Sequence, residues 1–399
     1  MTRNRRGPRT TAIHAGEGVD PVTGASAPNL VMSTTYAVDA SLGFSAHDLT
    51  EDAPFIYTRW GNPTVRQLEA KLAALENGEA ALCFASGMAA SAAVVFSLLG
   101  QGDHLVASDT NYAGTAELFR GTLPRFGIDL TLVDSSDPAA VAAALRPETK
   151  LVWIETPANP ILRLTDIAAV AAVTGARGIP LAVDSTFATP VATRPLDLGA
   201  DYVVHSLTKY IGGHGDALGG AVVGSKAAMA ALNLEAGIHY GGVLSPFNAW
   251  LIARGAATLP LRMAAHADTA LQVARFLEGH AKVRKVLYPG LPSHPQHDLA
   301  RRQMDNFSGM ISFQPAEPGP AVAARLAERL QVIHYAVSLG HHRSLIYWIG
   351  TDGIMDSTFG LHGAQLDAYR AYAGDGVFRL SVGLEDAEDL CADLDQALA

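Results

Sequence analysis

Cysteine is almost missing from this chain: Cys83 and Cys391 are the only two in 399 residues. Thiols so far apart form neither a disulfide framework nor a metal-binding spacing, and they suit a reducing cytoplasm. Long apolar runs are missing too. No stretch of about 18 uncharged apolar residues occurs, so no membrane-spanning helix is expected. Positive charge is in deficit, with 29 Lys and Arg against 39 Asp and Glu and a formal net charge of −10. That balance argues against nucleic acid as a partner. Charged residues of both signs make up only 17% of the chain, and hydrophobic ones 49%. Such a composition describes a well-buried globular protein with apolar surface to spare for subunit contacts. The Arg-rich start, Met1 to Thr10, has no apolar run behind it. A secretory signal is therefore not expected, and a solvated arm is the favoured reading over a transit peptide. Internal repeats and low-complexity tracts are also lacking.

The scarcity of charge is sharpest around one residue. Lys209 is the only Lys or Arg between Arg194 and Lys226. It sits in His205-Ser206-Leu207-Thr208-Lys209-Tyr210, after an apolar run and before the glycine-dense Ile211–Gly220. One reading is a lysine on a surface turn, common beside glycines. The other is a reactive amine, because removal from water lowers a lysine's pKa and frees its lone pair.

The order of elements favours the second reading. Residues 1–60 are irregular, broken by Pro21, Pro28 and Pro54, and end in Tyr57-x-Arg59 before a turn. A long irregular segment of this kind is usually functional or packs on a partner subunit. Arg59 reads either as an anion clamp or as an arginine in a polar turn. From Thr64, a plausible N-cap, Val65, Leu68, Leu72 and Leu75 recur at helical spacing, with Glu69 and Lys71 off that stripe. Seven short apolar runs follow: Ala80–Phe84, His104–Ala107, Leu130–Val133, Leu151–Ile154, Leu181–Val183, Tyr202–Val204 and Ala221–Val223. Helical text separates most of them, as in Ala89–Leu99, Ala139–Leu145 and Ile167–Thr174. This alternation predicts an α/β fold with a mainly parallel sheet covered on both faces. Ligands of such sheets bind beyond the carboxyl ends of the strands. There the sequence has Ser86-Gly87-Met88 opening a helix, Asp109 to Tyr112, Glu155 to Pro160, Asp184-Ser185, and the Lys209 stretch. A turn of small residues at a helix N-terminus suits a phosphate.

Beyond about Pro260 the pattern shifts to a smaller α+β domain. It has a helix at Ala264–Leu277, strand text at Gly309–Gln314, Val332–Val337 and Phe378–Gly383, and helices near Ala321–Leu330 and Ala364–Ala371. Arg379, alone among apolar neighbours, needs an anion, from a structural or a substrate carboxylate. His341-His342 and His294-x-x-His297 lack a carboxylate or Cys to complete a metal site and read as polar-turn histidines.

A phosphate-cradling turn, an aromatic, an acid after a strand and a lone lysine suggest a phosphorylated aldehyde held by an amine. The motifs Tyr57-x-Arg59-x-x-Asn62-Pro63-Thr64, Ser86-Gly87-Met88, Glu155-Thr156-Pro157-x-Asn159-Pro160, Asp184-Ser185-Thr186-Phe187, Ser206-Leu207-Thr208-Lys209-Tyr210 with Gly212-Gly213-His214, Leu244-Ser245-Pro246-Phe247-Asn248 and Arg379–Gly383 resemble the Cys/Met-metabolism family of pyridoxal-phosphate enzymes over nearly the whole chain. The resemblance implies the type I fold of these enzymes (aspartate-aminotransferase-like), with a mainly parallel seven-stranded sheet and a smaller C-terminal α+β domain. It implies an N-terminal arm over 1–62, a large domain over 63–259, a small domain over 260–399, and a cytoplasmic homotetramer with shared active sites. Lys209 would hold pyridoxal 5'-phosphate covalently and move protons at Cα and Cβ. Asp184 would pair with the pyridine nitrogen. Tyr112 would stack on the ring and assist proton transfer near the leaving group. Ser86, Gly87, Met88, Ser206 and Thr208 would bind the phosphate, with Tyr57 and Arg59 reaching in from the neighbouring subunit. Asn159 would lie near the phenolic oxygen. Arg379 would bind the substrate carboxylate, Ser338 would steady Lys209 or that carboxylate, and Tyr57 would border the substrate. No metal, nucleic acid or membrane is implied.

The family contains lyases and γ-replacement enzymes. Relatives carry Ser-Leu-Gly-x-x-Glu-Ser-Leu then His-Pro; here Arg343 stands at the Glu position and the His-Pro is gone. A basic residue there also resembles the sulfhydrylases, and Gly114 stands where methionine γ-lyases usually have Cys. The expected reaction is α,γ-elimination by a C–S lyase, with Tyr347 and Trp348 of a His341–Gly350 loop as its thioether-binding wall. The alternatives are γ-replacement by an O-acylhomoserine sulfhydrylase or cystathionine γ-synthase, a transaminase, and a non-catalytic cofactor-binding regulator. Lys209→Ala protein is expected to lose the visible absorbance of covalently held cofactor. A spectrum that keeps this band removes Lys209 from the attachment role.

Overall fold

The computed structural model describes residues 6–39 and 53–399. Residues 1–5 of the expected arm, and 40–52 in its irregular stretch, lie outside the described residues.

All seven apolar runs are strands of one sheet. They are β1 (Ala80–Phe84), β2 (His104–Ser108), β3 (Asp129–Val133), β4 (Thr149–Glu155), β5 (Leu181–Asp184), β6 (Tyr202–Ser206) and β7 (Gly220–Gly224). Their spatial order is β1-β7-β6-β5-β4-β2-β3. Only β7 runs against its neighbours; β6, β5, β4, β2 and β3 are parallel. Alternate residues of each strand enter different cores. Val203, Ala221 and Val223 join Leu68 and Leu72 of the helix Pro63–Leu75, while Val204 and Val222 join Val94, Phe119 and Trp153 on the other face. Burial on both faces is why these strands read as continuous apolar runs. Each fully buried Val or Leu contributes about 1.5–3 kcal/mol.

A second sheet contains β8 (Val283–Leu287), β9 (Met310–Pro315), β10 (His334–Tyr335), β11 (Leu345–Gly350) and β12 (Gly376–Ser381), in the order β10-β11-β12-β9-β8. The helix Leu259–Gly279, with Pro260 in its first turn, leads from the first sheet to the second. Its residues Ala270, Val273, Ala274 and Leu277 enter the core of the second sheet.

Several local expectations are corrected. The helix Pro63–Leu75 is capped by Asn62, not Thr64: the Asn62 side chain accepts from the N–H groups of Thr64 and Val65, and Pro63 fits the first helical position. Lys71, read as lying off the apolar stripe, is buried. Its ammonium donates to the carbonyls of Ala12 and Ile13 and pairs with Glu17 at 2.8 Å, tying the N-terminal helix Pro8–His14 to the body. The Val332–Val337 strand shrinks to His334–Tyr335 because the Asp393 carboxylate takes the N–H groups of Gln331, Val332 and Ile333 away from any ladder. The segment read as a His341–Gly350 loop is a strand from Leu345 on, paired antiparallel with β12. Its period of two sends Tyr347 to the face of Arg379, its cross-strand partner, and Trp348 to the opposite face, with its ring 5.0 Å from that of Phe378. Only Tyr347 shares the arginine's side.

Lys71→Ala is expected to cost about 3 kcal/mol of stability, because it strips a buried cation from three acceptors. Arg302→Ala, at an exposed pair with Asp166, is expected to cost less than about 1 kcal/mol. Denaturant midpoints of the two variants check the difference.

Candidate active site

The carboxyl ends of β1, β4, β5 and β6 and the start of β7 meet along one edge of the first sheet. The antiparallel insertion of β7 pairs Gly220 with both Phe84 and Ser206. This brings the turn after β1 against the end of β6. Ser86 caps the helix Gly87–Leu98, its hydroxyl accepting from the Ala89 N–H at 3.1 Å. A Cβ at Gly87 would stand 2.8 Å from the Ser206 Cβ, so only glycine lets the first helical turn approach this serine. Free N–H groups of a helix start beside a serine hydroxyl make a cradle for an anion. The Ser206 N–H donates to Thr186, and the Thr208 hydroxyl closes the following loop onto Gly219, accepting at 3.1 Å and donating at 3.3 Å.

Two carboxyl groups lie side by side behind this cradle. Glu155 ends β4 and Asp184 ends β5, opposite each other in the ladder, and both are buried. Asp184 accepts from the Thr186 N–H at 3.0 Å. Burial pushes its pKa up, against the Thr186 hydrogen bonds and the nearby His205. His205 itself contacts Glu76 at 2.6 Å. Burial, and then the charge of Asp184, push Glu155 well above the ordinary carboxylate range. Its two oxygens accept from the N–H of Tyr112 at 2.5 Å and that of Asn159 at 2.9 Å. Glu155 thus fixes two chain segments that the sequence brings from different strand ends. Its position after β4 was visible in the sequence; its bridging task depends on register and was not.

Lys209 follows β6 by three residues. Burial, and then the charge of Arg379, lower its pKa to about 8. Its Nζ donates to the Ser338 Oγ at 3.1 Å. Arg379 on β12 donates to the Asn159 Oδ1 at 3.0 Å and to the Ser338 carbonyl at 3.3 Å. Of its five N–H groups, the remainder are available to an incoming carboxylate. Tyr112 is half exposed, and its ring lies against Gly114, where a Cβ would also meet the Met88 sulfur at 3.0 Å.

The structure therefore joins Lys209, Ser338, Arg379, Asn159 and Tyr112 into one contiguous site through Glu155, with Asp184 beside that carboxyl. Ser86, Gly87, Met88 and Ser206 form the adjacent cradle. Tyr57 and Arg59 are bonded elsewhere. Arg59 donates to the Ile238 carbonyl, with its guanidinium 5.7 Å from the Tyr57 and Trp60 rings. Among the described residues, no hydrogen bond links Tyr57 or Arg59 to Ser86, Ser206 or Lys209. His294 uses both ring nitrogens, one on the Leu162 carbonyl and one on the Gln296 N–H. Among the described residues no cluster of His, Cys, Asp and Glu is arranged to hold a metal, and no helix is long and apolar enough to cross a membrane.

A buried acid for a ring nitrogen, a helix-start cradle for a phosphate and a desolvated amine for an aldehyde fit one group, pyridoxal phosphate. Fold and site define a pyridoxal-phosphate-dependent enzyme. More narrowly, the chain belongs to the Cys/Met metabolism PLP-dependent enzymes, whose family model matches residues 9–399. It is 43% identical to a canavanine γ-lyase of Rhizobium leguminosarum bv. trifolii, over 98% of this chain and 95% of that protein. It is 42% identical to a cystathionine γ-synthase of Mycobacterium tuberculosis, over 98% and 97%, and 42% identical to an L-methionine γ-lyase of Treponema denticola, over 97% and 95%. The solved structure of metB from Corynebacterium glutamicum superposes with a TM-score of 0.89 at 40% identity, covering 99% of this chain and 98% of that one. The architecture is the type I fold of this enzyme class, and the substrate is a small molecule.

Proposed function

We propose that the protein is a carbon–sulfur lyase. It carries out α,γ-elimination on methionine-, homocysteine- or cystathionine-type substrates to give 2-oxobutyrate, ammonia and a thiol. Tyr347 carries this reading. It lies opposite Arg379 in the β11–β12 ladder, remains 37% exposed, and has the Tyr335 ring 5.6 Å away. A substrate whose carboxylate meets Arg379 runs its side chain along this aromatic wall, which suits a thioether. The canavanine and methionine γ-lyases among the relatives support elimination at the same carbon.

Bound pyridoxal phosphate supplies an electron sink that acidifies the substrate's Cα and Cβ hydrogens. The protein's own groups do the rest. Ser86, Gly87, Met88, Ser206 and Thr208 would hold the phosphate and Asp184 the ring nitrogen. Arg379 takes the α-carboxylate in a fork, oriented by Asn159. The Lys209 amine, lowered to about 8, is suited to removing the Cα proton and then a Cβ proton near neutral pH. The Tyr112 phenol protonates the sulfur as the Cγ–S bond breaks. One water is consumed in releasing ammonia. The second reading, γ-replacement on an O-acylhomoserine, is favoured by the cystathionine γ-synthase likeness and by the basic His341-His342-Arg343 run next to the site.

The proposal extends to a cytoplasmic homotetramer with residues 1–62 as an arm to the neighbouring subunit, 63–259 as the large domain and 260–399 as the small one. The lack, among the described residues, of a hydrogen bond from Tyr57 or Arg59 to the chain's own cradle supports their service to a neighbour's site.

Purified enzyme with methionine, homocysteine or cystathionine is expected to release 2-oxobutyrate and ammonia from at least one of them. No release, together with homocysteine formation from an acylhomoserine and sulfide, selects γ-replacement instead. Inactive Arg59→Ala and Lys209→Ala proteins, mixed and reassembled, are expected to regain up to about a quarter of wild-type activity, as shared sites allow. Absence of recovery after confirmed subunit exchange rejects the cross-subunit arm.

A further inference from the structure

The Ser338 hydroxyl stands between two basic groups. The Lys209 Nζ donates to it at 3.1 Å, and the His341 Nε2 lies 3.2 Å away on the other side. Ser338 is held there at a φ of +110°, a conformation that L-residues rarely adopt. Two neighbouring bonds impose it: Arg379 donates to its carbonyl, and the Gly340 N–H donates to the Ser381 Oγ at 2.8 Å. The imidazole of His341 rests on the glycine loop that follows Lys209. A Cβ at Gly215, whose φ is +72°, would stand 2.7 Å from the ring. Beside it, the His342 N–H donates to the Gly213 carbonyl at 2.9 Å. The bare loop after Lys209 is thus shaped to admit a histidine from the bend that leads into β11.

We propose that His341 is a positioning residue, setting the direction of the Ser338 hydroxyl and, through it, the proton affinity of the Lys209 Nζ, both as a free amine and when it holds the cofactor. A serine hydroxyl has one hydrogen to give. When His341 accepts through Nε2, that hydrogen points to the imidazole, and the oxygen lone pairs face Lys209 and favour its ammonium. When Nε2 carries a proton, it donates to the serine, the hydroxyl turns to the lysine lone pair, and the free amine is favoured. One hydroxyl rotation therefore matches the serine to either state of the base. The groups facing His341 bias the ring. Burial, then the charge of Lys209 and then that of His342 lower its pKa, while Asp216 opposes them. His214 faces His342 in turn, with ring centroids 5.7 Å apart, and Arg379 faces the Ser338 carbonyl. These groups push the ring toward its uncharged form, in which a hydrogen on Nδ1 leaves Nε2 to accept.

The inference rests on Lys209 as the acting amine and holds for elimination and replacement alike. The test compares wild type, His341→Leu and His341→Gln as cofactor-loaded enzymes. In wild type, a pH titration of the visible band without substrate is expected to show an inflection on the acid side of the ordinary imidazole range. Both variants are expected to lose it. His341→Leu is expected to lower kcat at pH 8 about tenfold with little change in KM, as for one lost hydrogen bond between neutral groups. His341→Gln, able to accept through its amide oxygen, is expected to recover most of that rate. Ser338→Ala is expected to mask the leucine change, so that the double variant is no slower than Ser338→Ala alone. An unchanged acid inflection in His341→Gln overturns the proposal, as does a leucine effect that adds in full to that of Ser338→Ala. Failure of the lysine assignment is separable, since it leaves the visible band present in Lys209→Ala.

Discussion

Taking the Lys209 amine out of water is the constraint that the surrounding site answers. A buried ammonium ordinarily requires a counter-charge, yet the group within hydrogen-bond reach of Nζ is a neutral hydroxyl. The nearest strong charge, Arg379, has the same sign and deepens the effect. The carboxylates that could neutralise the amine are spent elsewhere: Glu155 on two backbone N–H groups and Asp184 on Thr186. The low local charge seen in the sequence is therefore a property of the site as well as of the composition. It leaves an amine able to give and take protons near neutral pH, which a salt-bridged lysine does poorly.

The acidic side of the site follows a complementary logic. Glu155 and Asp184, adjacent across a parallel ladder, repel each other in a medium that already disfavours their charges. A cationic ring nitrogen held beside Asp184 would favour the ionised aspartate, while Glu155 serves as a structural acceptor for Tyr112 and Asn159. The His205–Glu76 contact sits behind them on the neighbouring strand.

Much of this was legible in one dimension because burial on both faces leaves an unmistakable record. All seven strands of the first sheet, and the polar residues after them, follow from apolar runs and what interrupts them. Lys209 stood out through the absence of neighbours with charge. What escaped depends on contacts distant in sequence. The bridging role of Glu155 requires knowing that β4 lies between β2 and β5. β11 was read as a loop because its pairing partner, β12, starts 26 residues downstream of Gly350. His341 looked like any histidine in a polar turn, since only the folded chain brings it to Gly215. Asn62 was passed over as a cap because Thr64 offered an equally plausible hydroxyl two residues on.

The reversed direction of β7 has a mechanical result. Both ends of the 207–219 segment are anchored in adjacent strands, at Ser206 and Gly220, while its middle is bonded to the other sheet through Gly213 and His342. The segment cannot swing as a free flap. It acts as a tether between the two sheets, so that any rocking of the C-terminal sheet, to admit substrate or release product, pulls directly on the backbone carrying the lysine. Access to the site and the exact attitude of its base are in this way two readings of a single displacement.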